Sequence, residues 1–558
     1  MPHDASAADR RQTDREEVAV TAASSARSRD WRAIAGAAAL AAVAFLVGGA
    51  FFGLLHEGAP SDLAAAFDDY MLRVARFTLW QAGLSTLLSI LPAIAVARAL
   101  SRHPSFPGRA WLLRLFAVPL GLPAIVAALG LLAFYGRAGF AADVIDAAGG
   151  GTWPGIYGLT GILVAHAFFN LPLATRLFLE ALDTVPADHW RLASQLGMRP
   201  AATFRLVEWP VLRAALPGTA GLVFMLCVTS FTLVLTLGGG PGATTLEVAI
   251  YQALRFDFDP PRAVVLTLLQ VALTAAVVVA LSRFGMAVTG EAAIAVSRRR
   301  YLGVGRAEAF ANGLIILLAA VFVLAPMAAT VVSGLAADLG RLAGEASVRR
   351  AVATSLVLSG LSAFVAVPLS LSLVAARRGI QLRRRAVRPG PYERLLDAGP
   401  SLVLVVPPIV IGAGWFLLLR RGIDVFAAAP VMVVAVNAVM AMPFAVRAIR
   451  PAYDAASERH ERLCAGLGIH GWNRFRLVDW PVLRRPLATG LAFAMALSLG
   501  DLGVIALFGS DAVQTLPYLV YQRMGSYRTA DAAGLALLLG ALCLSLMLAA
   551  DRLGRTPE

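Results

Sequence analysis

Long apolar blocks dominate this sequence and restrict it to one kind of environment. A helix rises about 1.5 Å per residue, so roughly 20 apolar residues cross a hydrocarbon layer about 30 Å thick. Only 15% of the 558 residues are charged, too few to cover a soluble protein of this length. We therefore expect an all-α polytopic membrane protein. Twelve blocks have the required character: residues 31–55, 74–97, 112–135, 156–175, 215–238, 262–282, 308–332, 352–375, 399–419, 426–446, 486–508 and 530–550.

The basic residues predict the orientation of these spans. The chain has no lysine, so all 49 basic residues are arginine. If the N-terminus is cytoplasmic, 37 of them fall in cytoplasmic segments, as the positive-inside rule requires. We therefore expect both termini in the cytoplasm. The net charge of +14 does not require a nucleic-acid partner, because arginines at membrane edges are explained by contact with anionic lipid.

The blocks fall into two sets of six, which predicts two halves and short polar tails. An even number of spans returns the chain to its starting side, so the halves are expected to be parallel repeats about an axis along the membrane normal. The first 30 residues are polar and predict a disordered tail. The predicted units are a tail (1–30), a first half (31–290) with a cytoplasmic loop (186–213), a linker (291–307), a second half (308–550) with a matching loop (457–484), and a tail (551–558).

One polar cassette occurs twice. RLASQLGMRPAATFRLVEWPVLR at 191–213, the first cassette, recurs as RLCAGLGIHGWNRFRLVDWPVLR at 462–484, the second cassette, with 13 of 23 positions identical. In the first copy Leu192 and Leu196 share a helix face, and Gly197 is suited to end that helix. Pro200 suits the first turn of a second helix leading into the fifth span. An ordinary amphipathic interfacial loop would look similar, but a gapless duplicate at the matching position favours a functional helix–turn–helix.

The cassette spacing resembles the EAA loop of ABC-importer permeases. That pattern runs Glu-Ala-Ala, three residues, Gly, nine residues and Ile-x-Leu-Pro. The matching positions are Gly197, Val207, Trp209 and Pro210 in the first copy and Gly468, Val478, Trp480 and Pro481 in the second. The acidic position departs from the pattern, because Arg191-Leu192-Ala193 and Arg462-Leu463-Cys464 stand there. The resemblance implies that both cassettes dock on an ATPase subunit, whereas the contact made by the missing glutamate is in doubt.

From about residue 31 to 550 the chain resembles the thiamine (and thiamine pyrophosphate) ABC-transporter permeases, in which two halves are fused in one polypeptide. The stretches HAFFNLPLATR at 166–176, LGGGPGATTLEVAIYQAL at 237–254 and SLGDLGVIALFGS at 498–510 carry this resemblance. It implies a bacterial inner-membrane importer subunit with two ATPase copies, which bind ATP-Mg, and an external substrate-binding protein. Fused ferric-iron permeases share the architecture and remain an alternative.

The sequence offers no catalytic constellation of its own. A P-loop needs a lysine, so GGGPGATT at 238–245 is not a nucleotide-binding loop. No metal-ligand spacing is present either, and we expect neither enzyme activity nor a cofactor in this chain. An ion-driven secondary transporter also uses parallel six-span halves, but it offers no reason for two matching cytoplasmic cassettes.

Polar residues within spans are costly and mark candidate pathway positions. Asp501, placed inside the eleventh span, is either a counter-charge for a cationic substrate or a structural partner of an arginine or a backbone turn. His166, Asn170 and Asn437 in the fourth spans suit a pathway or interhelical hydrogen bonds. Glu247 and Tyr251, with Tyr521 in the second half, are expected near the outer end, as a gate or as contacts of the binding protein.

Overall fold

The chain is almost entirely helical. The computed structural model describes residues 32–56, 68–149, 153–283, 305–384, 390–403, 406–469 and 471–554, and none of these residues lies in a β-strand. The expected all-α class is therefore confirmed. The predicted tail at 1–30, nearly all of the linker at 291–307 and the last four residues of the C-terminal tail lie outside the described residues.

The first half forms helices that mostly follow the apolar blocks. A π-helical turn at Phe204–Glu208 joins α9 to α10 without a break. The helices are α1 Arg32–His56, α2 Asp69–Arg102, α3 Arg109–Leu115, α4 Val118–Gly121, α5 Ala124–Tyr135, α6 Phe140–Ala147, α7 Leu159–Asp183, α8 Ala187–Gln195, α9 Pro200–Thr203, α10 Trp209–Val228, α11 Phe231–Leu237, α12 Leu246–Arg255 and α13 Pro260–Arg283.

The second half repeats this order, including a π-helical turn at Phe475–Asp479. Its helices are α14 Arg306–Leu335, α15 Leu339–Gly344, α16 Ala346–Arg384, α17 Pro391–Leu402, α18 Pro408–Leu419, α19 Ala429–Gly466, α20 Gly471–Arg474, α21 Trp480–Leu499, α22 Gly503–Phe508, α23 Leu516–Gly525 and α24 Thr529–Gly554.

Eleven helical stretches among the described residues are long and apolar enough to cross a membrane, against twelve expected blocks. The ninth block accounts for the difference, since it holds the 12-residue helix α18 and the end of α17. Pro407 and Pro408 cause this division, because proline lacks an amide hydrogen and disfavours helix in the residue before it. The third block is divided similarly at Pro123, which precedes the 12-residue helix α5.

The fifth and eleventh blocks are also divided, at equivalent positions. Thr229 and Ser230 separate α10 from α11, and residues 500–502 separate α21 from α22. With the divisions before α5 and α18, each half therefore has two helix breaks. We refer to these four positions as the helix breaks. Discontinuous helices of this kind form binding sites in other transporters, because their ends place backbone polar groups inside the membrane.

The first helix of each half packs against the other half. In α1, the backbone carbonyl of Leu46 accepts a 2.7 Å hydrogen bond from the indole of Trp415. A side chain at Gly53 would collide with the carbonyl oxygen of Gly414, so the two backbones approach closely. Conversely, Gly130 of α5 leaves room for Pro326 and Thr330 of α14. This reciprocal exchange joins the halves into one helical body.

Candidate functional site

The first cassette forms the predicted helix–turn–helix. Helix α8 ends before Gly197, whose φ of +58° is the left-handed conformation that glycine adopts without strain. The amide of Met198 donates to the carbonyl of Ala193 at 3.0 Å, which closes the helix end. Pro200 then stands in the first turn of α9, as predicted.

The second cassette has the same turn but a different entry. Gly468 has a φ of +63°, and the amide of Ile469 donates to the carbonyl of Cys464 at 2.9 Å. However, α19 runs from the fourth span into the cassette without a break, whereas α7 and α8 are separate helices. Pro186, which directly precedes α8, is replaced at the equivalent position by Ser457. Proline disfavours helix in the residue before it, and serine does not.

A buried acid lies at the end of each π-helical turn, and sequence reasoning did not single it out. Glu208 in the first cassette is fully buried. It accepts from Arg98 Nε at 2.8 Å and Arg102 Nε at 3.0 Å, both in α2. Arg102 also pairs with Glu308 of α14, which begins the opposite half. The first cassette is thus attached to α2 and, through it, to the other half.

The equivalent acid, Asp479, is held more loosely. Arg474 Nε lies 3.7 Å and Arg32 Nη2 lies 3.9 Å from its carboxylate oxygens. Arg474 belongs to the second cassette itself and makes a shorter contact of 2.6 Å with Glu461. The signal that reveals both acids is the matched pair VEWP and VDWP, because a buried carboxylate entering an apolar span needs a partner.

Matched apolar side chains are exposed on both cassettes. Leu192, Leu196 and Leu206 are 54%, 63% and 60% exposed in the first copy. Their equivalents 271 positions later, Leu463, Leu467 and Leu477, are 59%, 64% and 63% exposed. We call these six side chains the leucine faces. Exposed apolar patches rimmed by charge are typical of protein–protein contacts.

The other predicted cassette residues surround the leucine faces. Arg191 and Arg462 are exposed, and Arg191 lies 3.4 Å from Asp188. Ala193 is one of the buried residues of α8. The aliphatic, aromatic and proline positions are half-buried or exposed where the second helix begins: Val207, Trp209, Pro210, Val478, Trp480 and Pro481. Both tryptophans pack against a cassette phenylalanine, with ring centroids 5.8 Å and 6.0 Å apart.

The four helix breaks meet at one cavity between the halves, with a volume of about 330 Å³. Four of the predicted pathway residues line it: His166, Asn170, Glu247 and Asp501. The breaks contribute Leu120, Ala124, Thr229, Ser230, Pro408, Ile409, Asp501 and Gly503 to the wall. Asn437, Tyr251 and Tyr521 are not on this wall.

Asp501 lies in a helix break and not inside a continuous eleventh span, which corrects the expected placement. Its two carboxylate oxygens accept from the amides of Gly503 at 3.2 Å and Val504 at 3.4 Å, the first residues of α22. Of the structural roles considered for Asp501, the backbone turn is thus the one observed. Capping by a carboxylate satisfies amides that have no partner within the helix.

The fourth-span residues make hydrogen bonds to neighbouring spans. His166 Nδ1 lies 2.9 Å from Ser85 Oγ of α2, and Asn170 donates to Cys227 Sγ of α10 at 3.4 Å. In the second half Asn437 donates to Ser498 Oγ of α21 at 2.9 Å. Interhelical bonding is therefore observed for all three, while His166 and Asn170 also reach the cavity.

Glu247 and Tyr251 are buried, at 1% and 3% exposed, and so they form no open surface for an external protein in this conformation. Tyr251 and the repeat-related Tyr521 lie close enough to interact electrostatically. This pair belongs to α12 in the first half and α23 in the second, two short helices that each follow the fifth span. It is therefore a contact between the two halves.

Comparison with known proteins also divides the chain into two similar segments. Residues 85–290 and 379–556 each match the family described as "Binding-protein-dependent transport system inner membrane component". Each match contains one cassette, and together they cover more than half of the chain. The chain belongs to this family. It is a fused permease and a multi-pass inner-membrane transport component, which confirms the fold and family expected from the resemblance.

Two thiamine transport system permease proteins match this permease over nearly its whole length. The thiamine transport system permease protein of Brucella abortus (strain 2308) is 58% identical over 521 residues, covering 93% of this chain and 95% of that protein. Its counterpart in Escherichia coli (strain K12) is 41% identical over 521 residues, covering 93% and 96%. A molybdenum transport system permease protein of Mycobacterium bovis is 30% identical over 197 residues, which cover 35% of this chain and 73% of that protein.

Proposed function

We propose that this permease carries thiamine, or its phosphates, across the inner membrane as part of an ABC importer. The observation that carries the proposal is the 58% identity, over 93% of the chain, to a thiamine transport system permease protein. An external binding protein delivers the substrate, and a separate ATPase supplies the energy as ATP-Mg is hydrolysed. The permease itself contributes the passage and has no ATPase site. Among the described residues, no cluster of three His, Cys, Asp or Glu side chains could hold a metal ion.

Two ATPase copies bind the two cassettes. The leucine faces support this role, because three apolar side chains are exposed at matching positions in each half. Gly197 and Gly468 set the turn that presents them. Arg191 and Arg462 lie at the rim, where the family pattern has an acid, so their contacts with the ATPase differ from those of a glutamate. The cassettes and both termini face the cytoplasm, as the arginine distribution supports.

The substrate passes through the cavity between the halves. Support comes from the convergence of the four helix breaks there and from the polar wall formed by His166, Asn170, Glu247 and Asp501. Tyr251 and Tyr521 close the passage on the outer side. Asn437 holds the fourth and fifth spans of the second half together at the edge of this passage.

Reconstitution tests the transport function directly. Proteoliposomes containing the permease and its genomic-neighbour ATPase receive the binding protein outside and ATP inside, and uptake of labelled thiamine is measured. We expect uptake only when all three proteins and ATP are present. Uptake driven by a proton or sodium gradient without the ATPase would contradict the importer assignment. ATP-driven uptake of ferric iron in place of thiamine would contradict the substrate alone.

Docking of the ATPase is tested by the leucine faces. Leu192→Ser with Leu463→Ser removes one leucine contact per ATPase copy. Since burying a leucine is worth about 1.5–3 kcal/mol, binding at each cassette is expected to weaken roughly ten- to hundredfold. Each single variant is expected to affect one copy only. Leu553→Ser is the control, because Leu553 is also exposed but lies at the end of α24. Unchanged ATPase affinity in the double variant, measured by co-purification titration, would contradict the docking role.

A further inference from the structure

The wall of the central cavity carries one acidic side chain from each half. The described residues that line it include Glu247 from the first half and Asp501 from the second, and no arginine. The repeat does not place these acids symmetrically, because Ser230 stands at the position equivalent to Asp501. Since the chain has no lysine, no other fixed cationic side chain is available on this wall. The cavity therefore has the polarity of a cation site.

The two carboxylates differ in how far protein groups satisfy them. Both oxygens of Asp501 accept backbone amides of α22, so its charge is used to hold the helix break. Glu247 is 1% exposed, and its Oε1 is buried without a hydrogen-bond partner. A buried carboxylate without a partner is costly, and a cation in the cavity would compensate it. Glu247 is thus the acid whose carboxylate oxygen can still accept a bound cation as its partner.

Further groups on the wall suit a flat heterocyclic cation. His166 Nδ1 is engaged by Ser85, whereas its Nε2 is buried without a partner. Phe169 and Phe231 supply aromatic rings, whose faces attract cations. The volume of about 330 Å³ lies at the lower end of the roughly 300–1,000 Å³ typical of small-molecule sites.

The helix breaks limit the charge that the site accepts. Ala124 and Pro408 begin the 12-residue helices α5 and α18 and line the cavity. A helix N-terminus carries about half a positive charge. These two ends offset part of the acidic charge on the wall, which favours a cation of low charge. A monocation matches this balance better than a polycation.

We propose that the cavity is a transit site for an organic monocation of the thiazolium type, in which Glu247 supplies the counter-charge and Asp501 shapes the wall. This inference rests on the proposed import function and specifies how the same passage recognises its cargo. Of the two roles that the sequence left open for Asp501, it assigns the structural one, because the contacts of Asp501 are already made within the protein.

Direct binding tests the site separately from transport. The permease–ATPase complex in nanodiscs, without the binding protein, is equilibrated with labelled thiamine by dialysis, and the neutral thiophene isostere of thiamine serves as competitor. We expect Glu247→Gln to raise the Kd for thiamine at least tenfold. Glu247→Asp retains the charge and should stay within threefold of the wild type. The affinity for the neutral isostere should be the same in the wild type and in Glu247→Gln.

Asp501→Asn is the matched control, since it alters the second acid on the same wall. It is expected to weaken thiamine and the neutral isostere equally, because its effect arises from the released amides of Gly503 and Val504. The proposal is overturned if wild-type protein binds no thiamine, if Glu247→Gln keeps wild-type affinity, or if Glu247→Asp loses as much as Glu247→Gln. Absence of ATP-driven thiamine uptake in proteoliposomes would instead contradict the import function, whichever way binding turns out.

Discussion

The buried acids of the two cassettes provide a quantitative test of how each cassette is anchored. Glu208 accepts two charged hydrogen bonds from α2, at 2.8 Å and 3.0 Å, and is fully buried. Among the residues that the structure describes, the nearest charged group to Asp479 is Arg474 Nε, at 3.7 Å. We therefore predict that Glu208→Gln destabilises the protein more than Asp479→Asn.

The magnitude follows from the environments of the arginines left behind. Removing one partner of a buried ion pair costs about 3–5 kcal/mol. Arg102 keeps its contact with Glu308, and Arg98 is 28% exposed and can turn toward water, so the lower end applies. We expect Glu208→Gln to cost about 3 kcal/mol. In the second cassette Arg474 keeps Glu461 at 2.6 Å, and Asp479→Asn should cost about 1 kcal/mol, as for weakly paired charges.

Equilibrium unfolding in mixed micelles, titrated with SDS, measures the free energy of unfolding of each variant. The predicted difference between the two substitutions is about 2 kcal/mol, well above the error of such titrations. The double variant should show the sum of the two effects, because the acids share no partner. Equal losses, or a larger loss for Asp479→Asn, would refute the reasoning that distance and burial set the strength of each anchor.

Three further outcomes are expected. Gly53→Ala should lower the free energy of unfolding by about 1–3 kcal/mol, because its Cβ would collide with Gly414. Gly48→Ala in the same helix meets nothing within 4 Å and should be neutral or slightly stabilising. Thermal unfolding compares the two variants. Gly197→Ala with Gly468→Ala should lower the free energy of unfolding by about 1–2 kcal/mol per left-handed turn and reduce the thiamine uptake per ATP hydrolysed. Gly466→Ala is the control, because this residue lies within α19 with free space around it, and it should leave the uptake per ATP unchanged. A membrane-impermeant maleimide should label Ser526→Cys in intact cells but Leu467→Cys only after permeabilisation. Background labelling should be low, because the three native cysteines are buried. The reverse labelling pattern would contradict the predicted orientation.

Apolar length and duplication made the general architecture predictable from sequence. Helix class depends on local apolar content, and every one of the twelve blocks contains helix. The cassette turn was predictable because glycine at 197 and 468 can adopt the left-handed conformation that ends a helix, and Pro200 in the first copy suits the start of the next helix. In these cases a few neighbouring residues determine the conformation.

Features that depend on distant contacts were not predictable in this way. The exchange of α1 and α14 between halves depends on small residues, such as Gly53 and Gly414, that are far apart in the chain. Asp501 was recognised as important, but its role depends on where α21 ends, which no local pattern specifies. Glu208 was overlooked because its arginine partners lie more than 100 residues away, in α2.

The two cassettes share a surface but differ in how they connect to the membrane spans. In the second half one helix, α19, carries Asn437 beside the fifth span and Leu463 on the leucine face. The helix contains Pro443 and Pro451 but is not interrupted between Asn437 and Leu463, so displacement at Leu463 is transmitted along a continuous backbone. In the first half Pro186 interrupts this path, and the strong contact between Glu208 and α2 provides another route. The tight anchor therefore occurs in the half whose helix is broken, and the loose anchor in the half whose helix is continuous. Each cassette has one firm connection to the spans around the cavity, made through different residues.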